Sequence, residues 1–276
     1  MLKQTITEQE LEKVSHKRRK YTSEVSEKQW KRLKWMLPKS KGAGRPIELE
    51  MRLVVNAIFY ILVTGSQWRN LPNDYPNPHS VYYHYRKWCK DKTWQRINRQ
   101  MVFLERRRVG RFPRPSAGIM DSQSVKISDQ GGLSGYDGNK KTKGRKRHAL
   151  VDTQGNLLDV VVTAANLDDR EGAKLVLTKI ERSIALRLLK IWVDKGYRGD
   201  LEVWFHHHWQ IELEVVVSDP EQKGFAVQPR RWVVERTFAW LGKYRRLSKD
   251  FEKDTLSSEG FIYLASIMTL LKRLEK

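Results

Sequence analysis

Cysteine, long apolar runs and acidic residues are all scarce in this chain of 276 residues. Cys89 is the only cysteine, which excludes an intramolecular disulfide and a zinc site built from several cysteines, and suits a reducing cytosol. The longest apolar run, residues 53–63, is interrupted by Asn56 and is too short to span a bilayer. The first residues lack the apolar stretch of a signal peptide. These absences predict a soluble cytoplasmic protein with no membrane partner.

The shortage of acids leaves a large positive charge. Lysine and arginine number 53 against 32 aspartates and glutamates, so the net charge is +21, and the excess is spread along the whole chain. Such a charge favours a polyanionic partner, most simply nucleic acid. The alternative is a protein that is basic for other reasons, as ribosome-associated proteins are. The length allows one large domain or two modest ones.

The first part of the chain predicts a basic arm followed by a helical DNA-binding region. Residues 1–43 carry the cluster HKRRK and end in a Gly/Pro/Lys stretch typical of a linker. Residues 49–62 have the apolar spacing of a largely buried helix that ends at Gly65. A proline-rich turn follows, and Ser80 suits the N-cap of a long basic and aromatic helix. This outline of helix, turn and helix assigns residues 44–110 to a helix-turn-helix-like DNA-binding region.

The second of these helices has a candidate phosphate-contacting face. Trp88 and Trp94 are interpreted as core residues. The polar face consists of His84, Arg86, Lys87 and Lys90. We expect Arg86 and Lys87 to contact DNA, while an ordinary solvated face is the alternative.

From about residue 111 the pattern changes to alternating strands and helices. The predicted order is three strands, a helix, a strand, a helix, a strand and a final helix that opens at Pro229. The turn TQGN, residues 153–156, joins the second strand to the third as a hairpin. Residues 111–276 are therefore predicted to form an α/β domain with a mixed sheet flanked by helices.

Two aspartates follow apolar strand segments in this region. Asp121 comes after Ile119-Met120 in the first strand, and Asp194 closes the fourth. In a mixed sheet with a three-stranded antiparallel start, the first and fourth strands can lie side by side and bring these acids together. Two close carboxylates repel each other unless cations lie between them. A third carboxylate would complete a site for two Mg²⁺ about 3.5 to 4 Å apart, which suits in-line phosphoryl displacement.

Glu235 in the final predicted helix is the candidate third acid. Helical spacing puts on its face Arg231, Ala239, Gly242 and Arg246. An adjacent apolar stripe is formed by Val234, Phe238 and Leu241. The alternative is a surface glutamate paired with Arg231 across one helical turn. The sequence thus predicts Asp121, Asp194 and Glu235 as catalytic and metal-binding residues.

The remaining polar clusters give weaker indications. The loop KKTKGRKRH, residues 140–148, is expected to lie along DNA phosphates, with a solvated loop as the alternative. The predicted DNA contacts outside the first helical region are Lys141, Lys143, Arg145, Lys146, Arg147, Arg198, Arg231 and Lys243. Consecutive histidines point in different directions on a helix, so a helix surface is favoured over a metal site for His206, His207 and His208. Turn, strand-surface and helix-dipole roles account for the other acids, Asp152, Asp159, Asp168 and Asp169.

Several blocks of the chain resemble a known family. The segments DSQSVK, GRKRHALVD, VVVTAANLDDREGAKL, WVDKGYRG and RRWVVERTFAWLGKYRRL resemble the catalytic core of DDE transposases of small bacterial insertion sequences. The segment GRPIELEMRLVVNAIFYILVTGSQWRNLPNDYP resembles the helical DNA-binding segment that precedes that core. The resemblance covers about residues 44–273. It implies an RNase H-like core whose metal-binding triad is Asp121, Asp194 and Glu235.

The resemblance also implies an activity and partners. The expected reaction is cut-and-paste transposition by cleavage at terminal inverted repeats followed by strand transfer. The expected cofactor is Mg²⁺, two ions per active site, with Mn²⁺ able to substitute. The expected partners are double-stranded DNA, as inverted repeats and target, and further copies of the chain in a homodimer or higher oligomer. Such a protein would lie on the bacterial nucleoid.

The sequence departs from the family pattern around the glutamate. A tyrosine and a lysine of that pattern are replaced here by Gln228 and Gly242, with Lys243 one step later, so the roles of that tyrosine and lysine are not carried over. Only residues 218–228 separate the last strand from the final helix, which predicts no inserted hairpin-stabilising domain. The alternatives are a structure-selective RNase H-like nuclease, which cuts without joining, and a non-catalytic DNA-binding repressor.

Overall fold

The computed structural model describes residues 20–38, 49–128, 131–216 and 230–275. Most of the predicted N-terminal arm and linker therefore lies outside the described residues, as do Pro229 and the segment that precedes it. Two parts follow one another along the described chain, an all-helical part and a mixed sheet with its covering helices. This architecture confirms the predicted fold class.

The helical part consists of α1 (Glu27–Leu33), α2 (Met51–Thr64), α3 (Pro78–Lys90) and α4 (Thr93–Arg108). Ser26 and Gln29 form a capping box at the start of α1. As predicted, α2 ends at Gly65, whose φ of 70° is the left-handed conformation that glycine adopts without strain.

The long basic and aromatic helix of the prediction is two helices in the structure. The chain turns between them at Lys92, whose φ is 59°. The N-cap of α3 is Asn77 rather than Ser80, because Pro78 occupies the first turn and the Asn77 side chain accepts a hydrogen bond from the His79 amide at 2.9 Å. Trp88 and Trp94 are core residues, as predicted, since they are 3% and 1% exposed.

A six-stranded sheet carries the second part of the molecule. Its strands are β1 (Ala117–Lys126), β2 (Gly135–Asp137), β3 (Thr142–Asp152), β4 (Leu157–Ala164), β5 (Lys190–Val193) and β6 (Glu212–Val215). The order is β2-β3-β1-β5-β6, and β4 pairs with β3. Pairing is antiparallel among β1, β3 and β4, and parallel from β1 to β5 and from β5 to β6. The antiparallel start and its parallel neighbour are thus those predicted.

The helices after β4 cover this sheet. They are α5 (Asp169–Lys179), α6 (Arg182–Ala185), α7 (Leu201–Trp209), α8 (Trp232–Gly242) and α9 (Thr255–Arg273). Asp168 is the N-cap of α5 and accepts a hydrogen bond from the Arg170 amide at 2.8 Å, which confirms its predicted place at a helix start. The sequence analysis did not predict α9, which is buried along most of its length against α4 and β4.

Buried polar contacts join the helical part to the sheet. Arg106 of α4 forms an ion pair of 2.5 Å with Asp152, which also accepts the amides of the turn after β3. The turn role predicted for Asp152 is therefore confirmed. Asp159 was predicted on a strand surface, but it is 1% exposed because Gln95 and Tyr263 donate hydrogen bonds to it from the helices above β4. No helix within the described ranges is long and apolar enough to cross a membrane.

Candidate active site

Two aspartates face each other where β1 and β5 run side by side. The parallel register pairs Ile119 with Trp192, and two further residues along both strands place Asp121 opposite Asp194. Asp194 directly follows the last residue of β5, and its side chain accepts a hydrogen bond from the Gly196 amide at 2.8 Å. The strand β5 is the fourth of the predicted strands, because the short β2 was not predicted. The predicted pairing of the first strand with the fourth is therefore confirmed.

Asp121 is the most buried of the three acids. Its side chain is 15% exposed and accepts a hydrogen bond from the Ser122 amide at 2.7 Å. Burial raises the pKa of this carboxyl to about 6, and the charge of Asp194 raises it further, while the Ser122 amide and Arg231 act in the opposite direction. Asp194 is 28% exposed. The two strands therefore hold one acid deeper than the other.

Glu235 approaches the aspartates from α8. This helix packs against β1 and β3 through its buried apolar stripe, formed as predicted by Val234, Phe238 and Leu241. The side chain of Glu235 is 56% exposed, so it is the most accessible of the three acids. Arg246 does not share its face as predicted, because α8 ends at Gly242 and Arg246 is buried in the next turn against Glu252 at 2.7 Å.

One guanidinium faces all three acids. Nη2 of Arg231 lies 3.3 Å from Oε1 of Glu235, 3.8 Å from Oδ2 of Asp121 and 3.9 Å from Oδ2 of Asp194. The bridge between Arg231 and Glu235 across one helical turn is therefore present, but the same nitrogen also lies beside both aspartates. The three carboxylates point toward one small volume that contains a positive charge.

The donor set of this volume is made of carboxylate oxygens, the ligands that Mg²⁺ prefers. Across the described ranges, no three His, Cys, Asp or Glu side chains are gathered closely enough to hold a metal ion. The guanidinium of Arg231 lies between the acids instead. The residue types suit a divalent cation, and holding one would require the three acids to draw closer together and Arg231 to leave the space between them.

A hydrogen-bonded network that the sequence analysis missed lies beside Asp121. The Ser122 hydroxyl donates to Asp169 at 2.8 Å, and Nζ of Lys140 donates to the carbonyl and the hydroxyl of Ser122, both at 2.8 Å. Lys146 pairs with Asp169 at 3.0 Å. Asp169 is in the first turn of α5, as predicted, but it also contacts β1. Its sequence position indicates the helix start and gives no sign of this second contact.

The structure corrects part of the predicted DNA-contacting set. Arg145, Lys146 and Arg147 are 0%, 6% and 2% exposed. Arg145 pairs with Asp250 at 3.1 Å and donates to the carbonyl of Glu252, while Arg147 donates to the carbonyl of Leu247 at 3.0 Å. Their charges are used inside the fold because β3 is paired on both edges and covered by neighbouring elements. A phosphate has no access to them in this conformation.

Other predicted contacts remain accessible at the surface. The exposed ones are Lys87, Lys141, Lys143, Arg198 and Lys243. Arg86 is half-buried and pairs with Asp254, and its guanidinium also donates to Ser257 at 2.6 Å. His84 is 8% exposed, which removes it from the predicted polar face, and burial lowers its pKa. The three consecutive histidines are exposed on α7, as predicted for a helix surface.

Comparison with known proteins gives matches over both parts of the chain. Residues 112–270 match the family model described as transposase DDE domain, and residues 25–98 match the model described as putative transposase of IS4/5 family. The putative transposase for insertion sequence element IS402 of Burkholderia cepacia is 30% identical over 119 residues. That alignment covers 40% of this chain and 54% of the relative, so the chain spans about half the length of the curated relative it matches. No solved structure is significantly similar.

Proposed function

Because this chain belongs to the transposase DDE domain family, we propose that it cuts and joins DNA strands as the transposase of an insertion sequence. The single observation that supports the assignment of the site is the convergence of Asp121, Asp194 and Glu235 on Nη2 of Arg231. In this proposal those three acids hold the divalent ions, and the sheet around them has the RNase H-like arrangement of the family domain.

The acids have different mechanical roles. Asp121 and Asp194 stand on adjacent strands of a hydrogen-bonded sheet, which fixes their separation. Glu235 reaches the same volume from α8, so a shift of this helix would open or complete the site. Bound Mg²⁺ or Mn²⁺ would activate the attacking oxygen and stabilise the leaving oxygen of the phosphodiester. Asp121 is oriented for this role by the amide of Ser122.

Arg231 is proposed to exchange partners during the reaction. Carboxylates that held cations would no longer attract its guanidinium, which lies at the start of α8. A guanidinium binds phosphate through paired, charge-assisted hydrogen bonds. Arg231 would then help to hold the DNA backbone, together with the exposed Lys141, Lys143, Arg198 and Lys243.

The finer features of the proposal concern DNA recognition. Residues 44–110 are proposed to bind the terminal inverted repeats, residues 111–276 to catalyse cleavage and strand transfer, and residues 1–43 to add a basic arm. The target is double-stranded DNA, and a homodimer or higher oligomer would bring two element ends together. Bound to chromosomal DNA, the protein would be associated with the nucleoid.

A strand-transfer assay tests the proposal. Purified protein is incubated with labelled DNA carrying the inverted repeats that flank its gene, with Mg²⁺ and a target plasmid. We expect cleavage at the element ends followed by joining to the target. Cleavage without joining would assign a nuclease, and binding without cleavage would assign a repressor. Either result contradicts the transposase proposal.

A further inference from the structure

A cavity of about 530 Å³ lies between the helical part and the segment that follows α8. Its wall includes Trp68, Tyr82 and Phe251, and none of these residues belongs to the site around Asp121. The volume is within the range of small-molecule pockets, about 300 to 1,000 Å³. It is therefore large enough for a ligand of the size of a nucleotide.

The cavity offers aromatic surfaces. The rings of Trp68 and Tyr82 meet edge to face with centroids 5.1 Å apart, and Trp68 also packs against Tyr85 and Phe261, so Tyr82 has the more accessible ring. Tyr82 is 39% exposed, and Phe251 is a half-buried residue of the same lining. A nucleobase that enters between these residues can stack on an aromatic ring, and such stacking is possible for any of the four bases.

The accessible charges around the cavity are positive. Arg69 and Lys253 are exposed at its rim. The acid of the lining, Glu252, is buried and bound to the guanidinium of Arg246 at 2.8 and 2.7 Å. Its charge is thus neutralised inside the wall. An apolar, aromatic interior with cations at the entrance matches a base with a phosphate attached to it.

The cavity is connected to the proposed catalytic helix through a close backbone contact. A Cβ atom at Gly65 would lie 3.1 Å from Cβ of Arg245, so the end of α2 packs tightly against the turn after α8. The segment from Arg245 to Lys253 thus contacts the helical part and also forms one wall of the cavity.

We propose that this cavity binds one unstacked nucleobase of the DNA held by the protein. In this inference, which rests on the proposed function, the base stacks on Tyr82, Trp68 and Phe251, and its phosphate contacts Arg69 and Lys253. Stacking on aromatic side chains offsets the cost of removing the base from the duplex. The site recognises the flat shape of a base and leaves its sequence identity unread.

Binding to three matched duplexes tests the inference. One duplex is fully paired, one carries a single unpaired base, and one carries an abasic residue at that position. We expect the wild-type protein to prefer the unpaired base by about 5- to 150-fold over the other two, the effect of stacking one base. Tyr82→Ala should lose the preference and Tyr82→Phe should keep it, as measured by fluorescence anisotropy.

Tyr83→Ala is the control, because Tyr83 is the next residue of α3, is 61% exposed and does not line the cavity. Phe251→Leu, at another residue of the lining, repeats the test if Tyr82→Ala lowers the melting temperature. An equal preference in Tyr82→Ala and Tyr83→Ala, or equal affinity for the abasic and unpaired duplexes, would overturn the inference. Failure of the wild-type protein to bind any duplex would instead remove the proposed function.

Discussion

Arginine and carboxylate meet in two very different ways in this molecule. At the candidate active site the guanidinium of Arg231 lies 3.3 to 3.9 Å from three acids that are 15%, 28% and 56% exposed. Between the helical part and the sheet, Arg106 meets Asp152 at 2.5 Å with both side chains nearly inaccessible. Loose, partly hydrated pairs can exchange partners, whereas tight buried pairs cannot do so without opening the fold. Distance and exposure thus distinguish the charges that we propose to react from those that hold the fold together.

The prediction with the largest expected effect concerns the three acids around Arg231. Asp121→Asn, Asp194→Asn and Glu235→Gln each remove a charge with little change of shape, so cleavage and joining should both fall by at least about 10²- to 10³-fold. Binding to the inverted repeats should persist, since it is assigned to other residues. A strand-transfer assay and a gel-shift assay measure the two properties.

Asp168→Asn is the control for these variants, because asparagine can also cap α5 and the side chain of Asp168 is 50% exposed. Its activity should be close to that of the wild-type protein. Normal cleavage by Glu235→Gln would remove this residue from the metal site.

The second prediction concerns the buried ion pair of Arg106 and Asp152. Arg106→Ala leaves Asp152 buried without its cation, which should lower the free energy of unfolding by about 3 to 5 kcal/mol. Urea denaturation measures the change. Lys174→Ala is the control, since Lys174 and its partner Glu171 are 32% and 55% exposed and their pairing should contribute about 1 kcal/mol or less. Equal losses in the two variants would contradict the distinction drawn above.

The third prediction uses a buried histidine on β3. Burial lowers the pKa of His148 to about 4, and its ring contacts the Thr163 hydroxyl at 3.0 Å. The histidine binds a proton near pH 6.5 in the unfolded chain and only near pH 4 in the folded chain. The contribution of the neutral ring to the free energy of unfolding is therefore fully present above pH 6.5 and is lost as the pH falls to 4. The loss should reach about 3 kcal/mol at most.

Urea denaturation at several pH values measures this slope. His148→Gln should remove its share of the pH dependence, whatever its effect at neutral pH. His206→Gln, at an exposed position of α7, should leave the slope unchanged. An unchanged slope in His148→Gln would indicate that folding does not shift the pKa of this ring.

The fourth prediction has the smallest expected effect and concerns Arg231 itself. Arg231→Ala removes the cation that faces the three acids, so Mn²⁺ should bind the DNA-free protein about tenfold more tightly, the effect of a few exposed ion pairs. Isothermal titration calorimetry measures this affinity without any reaction. Arg198→Ala removes an exposed arginine from the turn after β5 and should leave the affinity unchanged. Weaker Mn²⁺ binding by Arg231→Ala would assign it a supporting role.

The sequence was informative where structure depends on neighbouring residues. Gly65 indicated the end of α2, and the stripe of Val234, Phe238 and Leu241 indicated the buried face of α8. The adjacency of the strands that carry Asp121 and Asp194 followed from the order of the elements, because an antiparallel start leaves an edge of the first strand open for the fourth.

The incorrect predictions concern residues whose partners are far away in the sequence. Arg145 and Arg147 lie in the segment GRKRH, which has the composition of a solvated loop, yet their partners Asp250 and Leu247 are about 100 residues away in the sequence. Asp159 was placed on the surface because Tyr263, which donates to it, belongs to a helix that was not predicted. A local sequence pattern contains no information about a partner at such a distance. The burial of these charges could therefore be found only from the structure.

The position of Arg231 also bears on how the protein is made. Three acids brought together without a cation would repel one another and oppose folding. Arg231 is encoded four residues before Glu235 and supplies that cation from the same chain. A newly synthesised copy can therefore reach its folded state before it meets a divalent ion. If the three acids bind metal as proposed, folding and metal binding would be separate events, in contrast to small zinc domains that fold only around their metal.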